Sequence, residues 1–162
     1  MDKPRVTSAL CVAALAVGGL AAGSAADASE SPARTAAGCA RMFDEAQRTD
    51  MESFRDFDSQ TWRDGHAADA ISIFPTGRMF VGIDEIMAGA ARHFREKDAV
   101  WSWTELSRQV DGCRSAVIVY DATYDIPRFE YHQRALTVVT YRFEHGHWLS
   151  VMDQGTLLEL TP

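Results

Sequence analysis

One carboxylate near the end of the chain has the sequence surroundings that acid–base chemistry requires. Asp153 follows Leu149 and Val151 at every second position of a strand-like run, so it is predicted to point to the same face as those apolar side chains. Burial among apolar groups disfavours the charged form of a carboxyl group and raises its pKa, which suits a general acid or base. The structural alternative is that Asp153 accepts hydrogen bonds at the strand end or caps a turn at Gly155.

Three further side chains are candidates for the same reaction. His66 lies between a predicted helix and the first predicted strand, where a neutral imidazole could act as a base or orient a carboxylate. Tyr120 could donate its hydroxyl proton to a substrate carbonyl, and Glu105 could face Asp153 across a pocket. Each has a structural alternative: a histidine bonded to a backbone carbonyl, a tyrosine in the core, and a glutamate solvated at a strand end.

Aromatic side chains would surround these groups if the strands pair as neighbours. A pocket that combines aromatic side chains with a few polar groups is typical of a site for a mostly apolar small molecule. The alternative is that the same aromatic side chains fill the core. The assignment also depends on strand register, because a slip of one residue moves a whole strand's side chains to the other face. The predicted ligand pocket comprises Trp101, Trp103, Glu105, Tyr124, Thr137 and Tyr141.

Hydrophobic periodicity predicts the elements that would position these residues. The predicted helices span 40–48, 51–63 and 83–97. The predicted strands span 70–74, 78–81, 99–110, 115–124, 134–143 and 147–156. Thr49 and Asp50 are predicted to form the N-cap of the second helix. Helices segregated from strands predict an α+β fold, in which a curved antiparallel sheet wraps around the N-terminal helices.

The first residues have the pattern of a secretory signal peptide. A short basic stretch precedes an apolar run rich in Ala and Gly, and an Ala-x-Ala-like site ends at Ala26 or Ala28. The protein is therefore predicted to be secreted, to the extracellular space or the cell envelope, with no membrane association after cleavage. A retained N-terminal anchor is the alternative. The predicted divisions are a signal peptide at 1–28, a flexible tether at 29–38 and one domain at 39–162.

Cysteine usage agrees with export. Cleavage would remove Cys11 and leave Cys39 and Cys113, an even pair for which a disulfide is the expectation in an oxidising compartment. By chain entropy such a bond would contribute roughly 3 to 4 kcal/mol of stability. Two alternatives stay open: a pair of buried free thiols, and lipidation of Cys39 in a lipoprotein-like Ala-Ala-Gly-Cys box.

Several functional classes are not expected. The net charge of −7 and the lack of a basic patch argue against nucleic acid as a partner. There is no Gly-x-Ser-x-Gly nucleophile motif and no Gly-rich phosphate loop. His132, His145 and His147 do not have the spacing of metal ligands. No metal and no cofactor are therefore predicted.

Four stretches carry a resemblance to a known family. They are 61–66 (TWRDGH), 69–77 (DAISIFPTG), 82–86 (GIDEI) and 146–151 (GHWLSV). On these stretches residues 40–160 resemble the nuclear transport factor 2-like superfamily, which includes SnoaL-like polyketide cyclases and ketosteroid isomerase. The resemblance implies a cone-shaped, cystatin-like α+β fold with an apolar pocket between sheet and helices. It also implies a homodimer formed through the outer face of the sheet.

The resemblance does not extend to the catalytic carboxylates of ketosteroid isomerase. Its general-base aspartate precedes the proline of the first hairpin, where this chain has Phe74. Its second acid lies in the penultimate long strand, where this chain has Val139 or Thr140. Ketosteroid isomerisation is therefore not expected.

Two functional hypotheses remain at the level of sequence. In the first, an exported domain binds a small organic ligand in an aromatic pocket and acts as an acid–base isomerase, cyclase, dehydratase or hydrolase without a cofactor. In the second, it is a non-catalytic secreted module for ligand binding or dimerisation, because one fold hosts many functions. They differ in whether Asp153, His66 and Glu105 converge on one open cavity.

Overall fold

The computed structural model describes residues 35–161, as three α-helices and a six-stranded sheet with a short 3₁₀ turn at Pro127–Phe129. The helices are α1 (Ala36–Arg55), α2 (Ser59–Asp64) and α3 (Ile83–Glu96). The strands are β1 (His66–Ile73), β2 (Met79–Val81), β3 (Val100–Asp111), β4 (Ser115–Ile126), β5 (Tyr131–Glu144) and β6 (His147–Thr161). The predicted signal peptide and residues 29–34 of the predicted tether lie outside the described residues.

Helix α1 is longer than predicted, and the predicted break at Thr49 and Asp50 is wrong. The helix begins after Thr35, whose side chain accepts a hydrogen bond from the Gly38 amide, so it includes the end of the predicted tether. Asp50 lies inside the helix, and its carboxylate accepts a hydrogen bond from the Tyr141 hydroxyl instead of capping a new helix. The chain turns only at Phe57, where φ is 60°.

The sheet confirms the predicted meander and adds one parallel pairing. Strands β3, β4, β5 and β6 are consecutive antiparallel neighbours, and β1 and β2 form the predicted hairpin. β1 then pairs with β6 in parallel, so the sheet is mixed, with strand order β2-β1-β6-β5-β4-β3. The observed fold is α+β, with the helices on the concave side of one curved sheet.

The core lies between α1 and the long strands. Phe43 is fully buried, and its ring packs edge-on against Tyr141 at 5.2 Å and Trp148 at 5.3 Å between centroids. A second cluster joins α2, α3 and the first hairpin around Trp62, Phe80 and Ile86. The space between the two clusters is where the site described below lies.

The predicted disulfide is confirmed. Cys39 and Cys113 are bonded, with 5.3 Å between their Cα atoms and a sequence separation of 74 residues. The bond ties the first turn of α1 to the turn between β3 and β4, so the helix is fixed against the sheet. Among residues 35–161 no helix is long and apolar enough to cross a membrane.

A β-bulge in β6 decides which side chains share a face with Asp153. Ser150 pairs with Tyr141, whereas Asp153 pairs with Val139, so one extra residue of β6 lies between these two pairs. Asp153 therefore lies on the concave face together with Ser150 and Trp148. The prediction that it shares a face with Leu149 and Val151 is wrong, because strict alternation is broken at the bulge.

Candidate functional site

A cavity of about 360 Å³ lies between the helices and the concave face of the sheet. All three helices and the strands β1, β3, β4, β5 and β6 contribute to its wall. Most of the wall is apolar and aromatic, including Phe54, Trp62 and Trp101, and the polar side chains are few. This composition is typical of a site for a small organic molecule.

The cavity brings together five of the predicted site residues. Asp153, His66, Trp101, Tyr124 and Thr137 all line it. Trp101 borders the cavity without filling it, so the space that the catalytic hypothesis needs is open. The functional roles predicted for these residues stay predictions.

Asp153 is a carboxylate in the cavity wall whose pKa is shifted by its surroundings. Its Oδ1 accepts a hydrogen bond of 2.6 Å from the hydroxyl of Ser72, which is buried in the neighbouring strand β1. Burial raises the pKa of Asp153 to about 6, although the Ser72 bond and the nearby His66 favour the ionised form. The charge of Asp50 adds to the increase. The group can therefore gain or lose a proton near neutral pH.

His66 is held in one tautomer by its backbone contact. Its Nδ1 lies 2.7 Å from the carbonyl oxygen of Trp62, and a carbonyl can only accept, so Nδ1 carries the proton. In the neutral ring Nε2 is then a hydrogen-bond acceptor. The imidazole is buried and packs on the Trp62 ring at 4.3 Å between centroids. The backbone contact of the structural alternative is therefore present, and the residue also lines the cavity.

Asp50 is a second carboxylate in the cavity wall, and the sequence interpretation missed it. Its side chain is only 7% exposed, and Oδ2 accepts a hydrogen bond of 2.6 Å from Tyr141. The signal was available, because Phe43, Asp50 and Phe54 recur on one face of a continuous helix. Breaking the helix at Thr49 hid that periodicity.

His93 on α3 is another missed residue, and it fixes the hydroxyl of Tyr124. Its Nε2 donates to the Phe54 carbonyl oxygen at 2.7 Å, and its Nδ1 lies 3.1 Å from the Tyr124 hydroxyl. Burial lowers the pKa of His93, so the ring is neutral and Nδ1 accepts the Tyr124 proton. The ring also stacks on Phe54 at 3.8 Å. Helical spacing on α3 gave no indication of this contact with β4.

Four predicted residues do not line the cavity. Tyr120 is 1% exposed, and its hydroxyl donates to Gln47 of α1 at 2.7 Å. Burial raises the pKa values of Tyr120 and Tyr141 above the ordinary tyrosine value. Tyr141 belongs to the core and reaches the cavity only through Asp50. The Tyr120 hydroxyl, which was predicted to meet a substrate, therefore points to α1 and not into the cavity.

Trp103 and Glu105 lie on the predicted face of β3, but neither lines the cavity. The Trp103 ring is capped by the Arg55 guanidinium, 5.7 Å from its centroid. Glu105 is exposed and pairs with Arg108, which also pairs with Asp44 of α1. Because α1 is continuous, it covers this part of the sheet and separates both residues from the cavity. Glu105 thus does not face Asp153.

Solved structures with the same fold are found, but no relative with a known role is matched in sequence. The chain matches no protein-family model and no curated protein. The structure of a hexachlorocyclohexane dehydrochlorinase is similar, with a TM-score of 0.63 at 11% sequence identity. The match covers 76% of this chain and 87% of that chain. An NTF2-like protein of unknown function from Shewanella oneidensis has a TM-score of 0.61 at 14% identity, with 72% of this chain and 98% of that chain covered.

A third similar structure is a protein with a cystatin-like fold from Caulobacter vibrioides. Its TM-score is 0.61 at 13% identity, with 74% of this chain and 89% of that chain covered. The class defined by these comparisons is the curved-sheet α+β fold of the cystatin-like proteins. Within it, this chain has the nuclear transport factor 2-like fold that the sequence resemblance implied. Identities this low show the fold and leave the activity open.

Proposed function

We propose that the cavity binds a small, largely apolar organic molecule and that Asp153 exchanges a proton with it. The reaction would be a cofactor-independent isomerisation, cyclisation, dehydration or hydrolysis. The observation that carries the proposal is Asp153, a carboxyl group in the wall of an open apolar cavity whose pKa is raised to about 6. A general base with a pKa near the working pH combines a useful ionised fraction with a strong drive to take the proton.

In this proposal His66 is the second group that handles a proton. Its Nδ1–H is held by the Trp62 carbonyl, which leaves Nε2 to accept a proton or a hydrogen bond at the cavity. Ser72 positions Asp153 by donating to Oδ1, so the other oxygen is the one that meets the substrate. Tyr124 and Thr137 are the predicted polar groups that would orient it.

Two further observations agree with this function. One structurally similar protein is a hexachlorocyclohexane dehydrochlorinase, so the fold accommodates enzymatic chemistry on a small apolar molecule. The Cys39–Cys113 disulfide is compatible with an oxidising compartment, which supports the proposed export to the extracellular space or cell envelope.

A test that does not require the reaction to be known uses isotope exchange. The purified protein is incubated in D₂O with a library of small carbonyl, hydroxyl and amine compounds, and each compound is examined by mass spectrometry. Abstraction and return of a carbon-bound proton would insert deuterium, and dehydration or hydrolysis would change the mass outright. We expect at least one compound to change, at a rate that rises with pH through about 6 as Asp153 ionises.

The matched variants are Asp153→Asn and Asp84→Asn. The first keeps the side-chain shape and removes the base, so the exchange rate is expected to fall by about 10²- to 10⁴-fold. The second removes an exposed carboxylate at the start of α3, and the rate should not change. Ligand binding without any exchange, or full exchange by Asp153→Asn, would contradict catalysis by Asp153 and favour a non-catalytic binding module.

A further inference from the structure

Hydrogen-bond roles along the cavity wall can be assigned group by group. The Tyr124 hydroxyl gives its single proton to Nδ1 of His93, because the His93 Nε2–H is already donated to the Phe54 carbonyl. The Tyr124 oxygen can therefore only accept from a ligand. The Nδ1–H of His66 is likewise held by the Trp62 carbonyl oxygen, so in the neutral ring only Nε2 is left, as an acceptor.

The two carboxylates in the wall follow the same pattern. Asp50 receives the Tyr141 hydroxyl at Oδ2, and Asp153 receives the Ser72 hydroxyl at Oδ1. Each carboxylate thus has one oxygen held by a protein donor, and within residues 35–161 no hydrogen bond reaches the other oxygen. An ionised carboxylate has only acceptor capacity. Asp50, Asp153, His66 and Tyr124 together present acceptors to the cavity.

In the part of the chain that the structure describes, Arg and Lys do not balance the two carboxylates, although His66 lies near enough to Asp153 to favour its ionised form. Across residues 35–161, neither Asp50 nor Asp153 forms an ion pair with Arg or Lys. The one guanidinium in the wall, Arg92, is partly exposed and pairs with Asp98 at 3.0 Å. The indole N–H of Trp101 is buried and has no partner, so it is not accessible from the cavity. A buried anionic group without a cation is costly unless something else supplies the charge.

We propose that the ligand of this cavity is a protonated amine on a ring-bearing apolar body, with its N–H groups directed at Asp50 and Asp153. An ammonium group supplies several donors and a positive charge to the Asp50 and Asp153 carboxylates, whereas a ligand carboxylate would be repelled by both. The aromatic side chains Phe54, Trp62 and Trp101 supply faces that attract a cation as well as an apolar ring. This names the ligand class of the proposed function and rests on the same cavity.

Three probes with one ring system and different head groups test the assignment. They are β-naphthylmethylamine, β-naphthylmethanol and β-naphthoate, which are cationic, neutral and anionic at pH 7.5. Isothermal titration calorimetry with the purified protein should show the amine binding at least about tenfold more tightly than the alcohol, and the carboxylate most weakly. The preference for the amine should diminish at pH 5, where Asp153 takes up a proton.

The variants separate charge from shape. Asp50→Asn keeps an oxygen that can accept the Tyr141 hydroxyl, so the fold is retained, and its affinity for the amine should fall about tenfold while that for the alcohol is preserved. Asp153→Asn should act in the same direction. Glu45→Gln, an exposed position on the same helix, is the control for a lost negative charge and should bind all three probes as the wild type does.

The outcomes distinguish this inference from the proposed function. Equal binding of amine and alcohol, preferred binding of the carboxylate, or an Asp50→Asn variant with unchanged amine preference would overturn the amine assignment. Deuterium exchange that requires Asp153 would still support the proposed function in each of those cases. Failure of all three probes to bind would overturn the amine assignment as well, and the exchange experiment would then decide the proposed function by itself.

Discussion

Replacing Asp153 with Asn is expected to stabilise the protein at neutral pH, which is unusual for a residue that makes a hydrogen bond in the folded state. The carboxyl group has a folded pKa of about 6 against an ordinary value of 3.8. Below about pH 3 it is protonated in both the folded and the unfolded chain and contributes nothing. As the pH rises from about 3 to 6 the unfolded chain loses the proton first, so the folded state becomes less stable.

The magnitude follows from the difference between the two pKa values. Each pKa unit corresponds to about 1.36 kcal/mol, so the increase of the pKa from 3.8 to about 6 lowers the free energy of unfolding by about 3 kcal/mol at pH 7. Asn has no charge to desolvate, so it avoids this loss. It forms a weaker bond with Ser72 than a carboxylate does, at a cost of about 1 kcal/mol. The net expectation is about 2 kcal/mol of added stability at pH 7 and none, or a small loss, at pH 4.

Urea unfolding at pH 4 and pH 7 measures both quantities. The control is Asp84→Asn, whose side chain is 88% exposed and whose ion pair with Arg63 lies at the surface, so its effect should stay below about 1 kcal/mol at both pH values. If Asp153→Asn is destabilising at pH 7, or stabilises equally at both pH values, the reasoning from burial is refuted. Asp153 would then be a structural hydrogen-bond acceptor, and the proposed function would lose its main support.

Two further predictions concern the supports of the site. Tyr141→Phe removes the donor to the buried Asp50 carboxylate and should lower the free energy of unfolding by about 1 to 3 kcal/mol; an unchanged urea midpoint would show that this bond contributes no net stability. The double variant Cys39→Ser, Cys113→Ser removes a cross-link between residues 74 positions apart and should lower the free energy of unfolding by about 4 kcal/mol, because the unfolded chain gains entropy. Thermal unfolding with and without reductant checks this, and a loss below about 1 kcal/mol would contradict it.

The fold was predictable from the sequence because its strongest signals are local. Alternating apolar residues with short turns predicted the four-stranded meander, and helical spacing predicted α3 almost to the residue. The parallel pairing of β1 with β6 had no local signal, since it joins segments far apart in sequence. The false break in α1 arose because Asp50 is a residue type that favours N-caps, and its partner Tyr141 comes from a distant strand.

The candidate site was predictable in part, for reasons that the individual residues show. Asp153 was placed in the pocket although its predicted neighbours were wrong, because the bulge in β6 leaves it on the same face as Val139. Glu105 was placed on the correct face of β3 but not in the cavity, because alternation gives the face and not the distance along a strand. Asp50 and His93 were missed because their roles depend on contacts between helix and sheet, which periodicity within one element does not describe.

Helix α1 connects the stability of the fold to the polarity of the cavity. The disulfide at Cys39 fixes its first turn, and Asp50 lies eleven residues further, about 16 Å along the helix axis. Phe43 packs between these two points, and the Tyr120–Gln47 and Tyr141–Asp50 hydrogen bonds join the helix to β4 and β5. The position of Asp50 is therefore set by a covalent bond at one end and by sheet hydroxyls at the other. The Asp50 carboxylate is therefore held near enough to Asp153 for its negative charge to raise the pKa of Asp153.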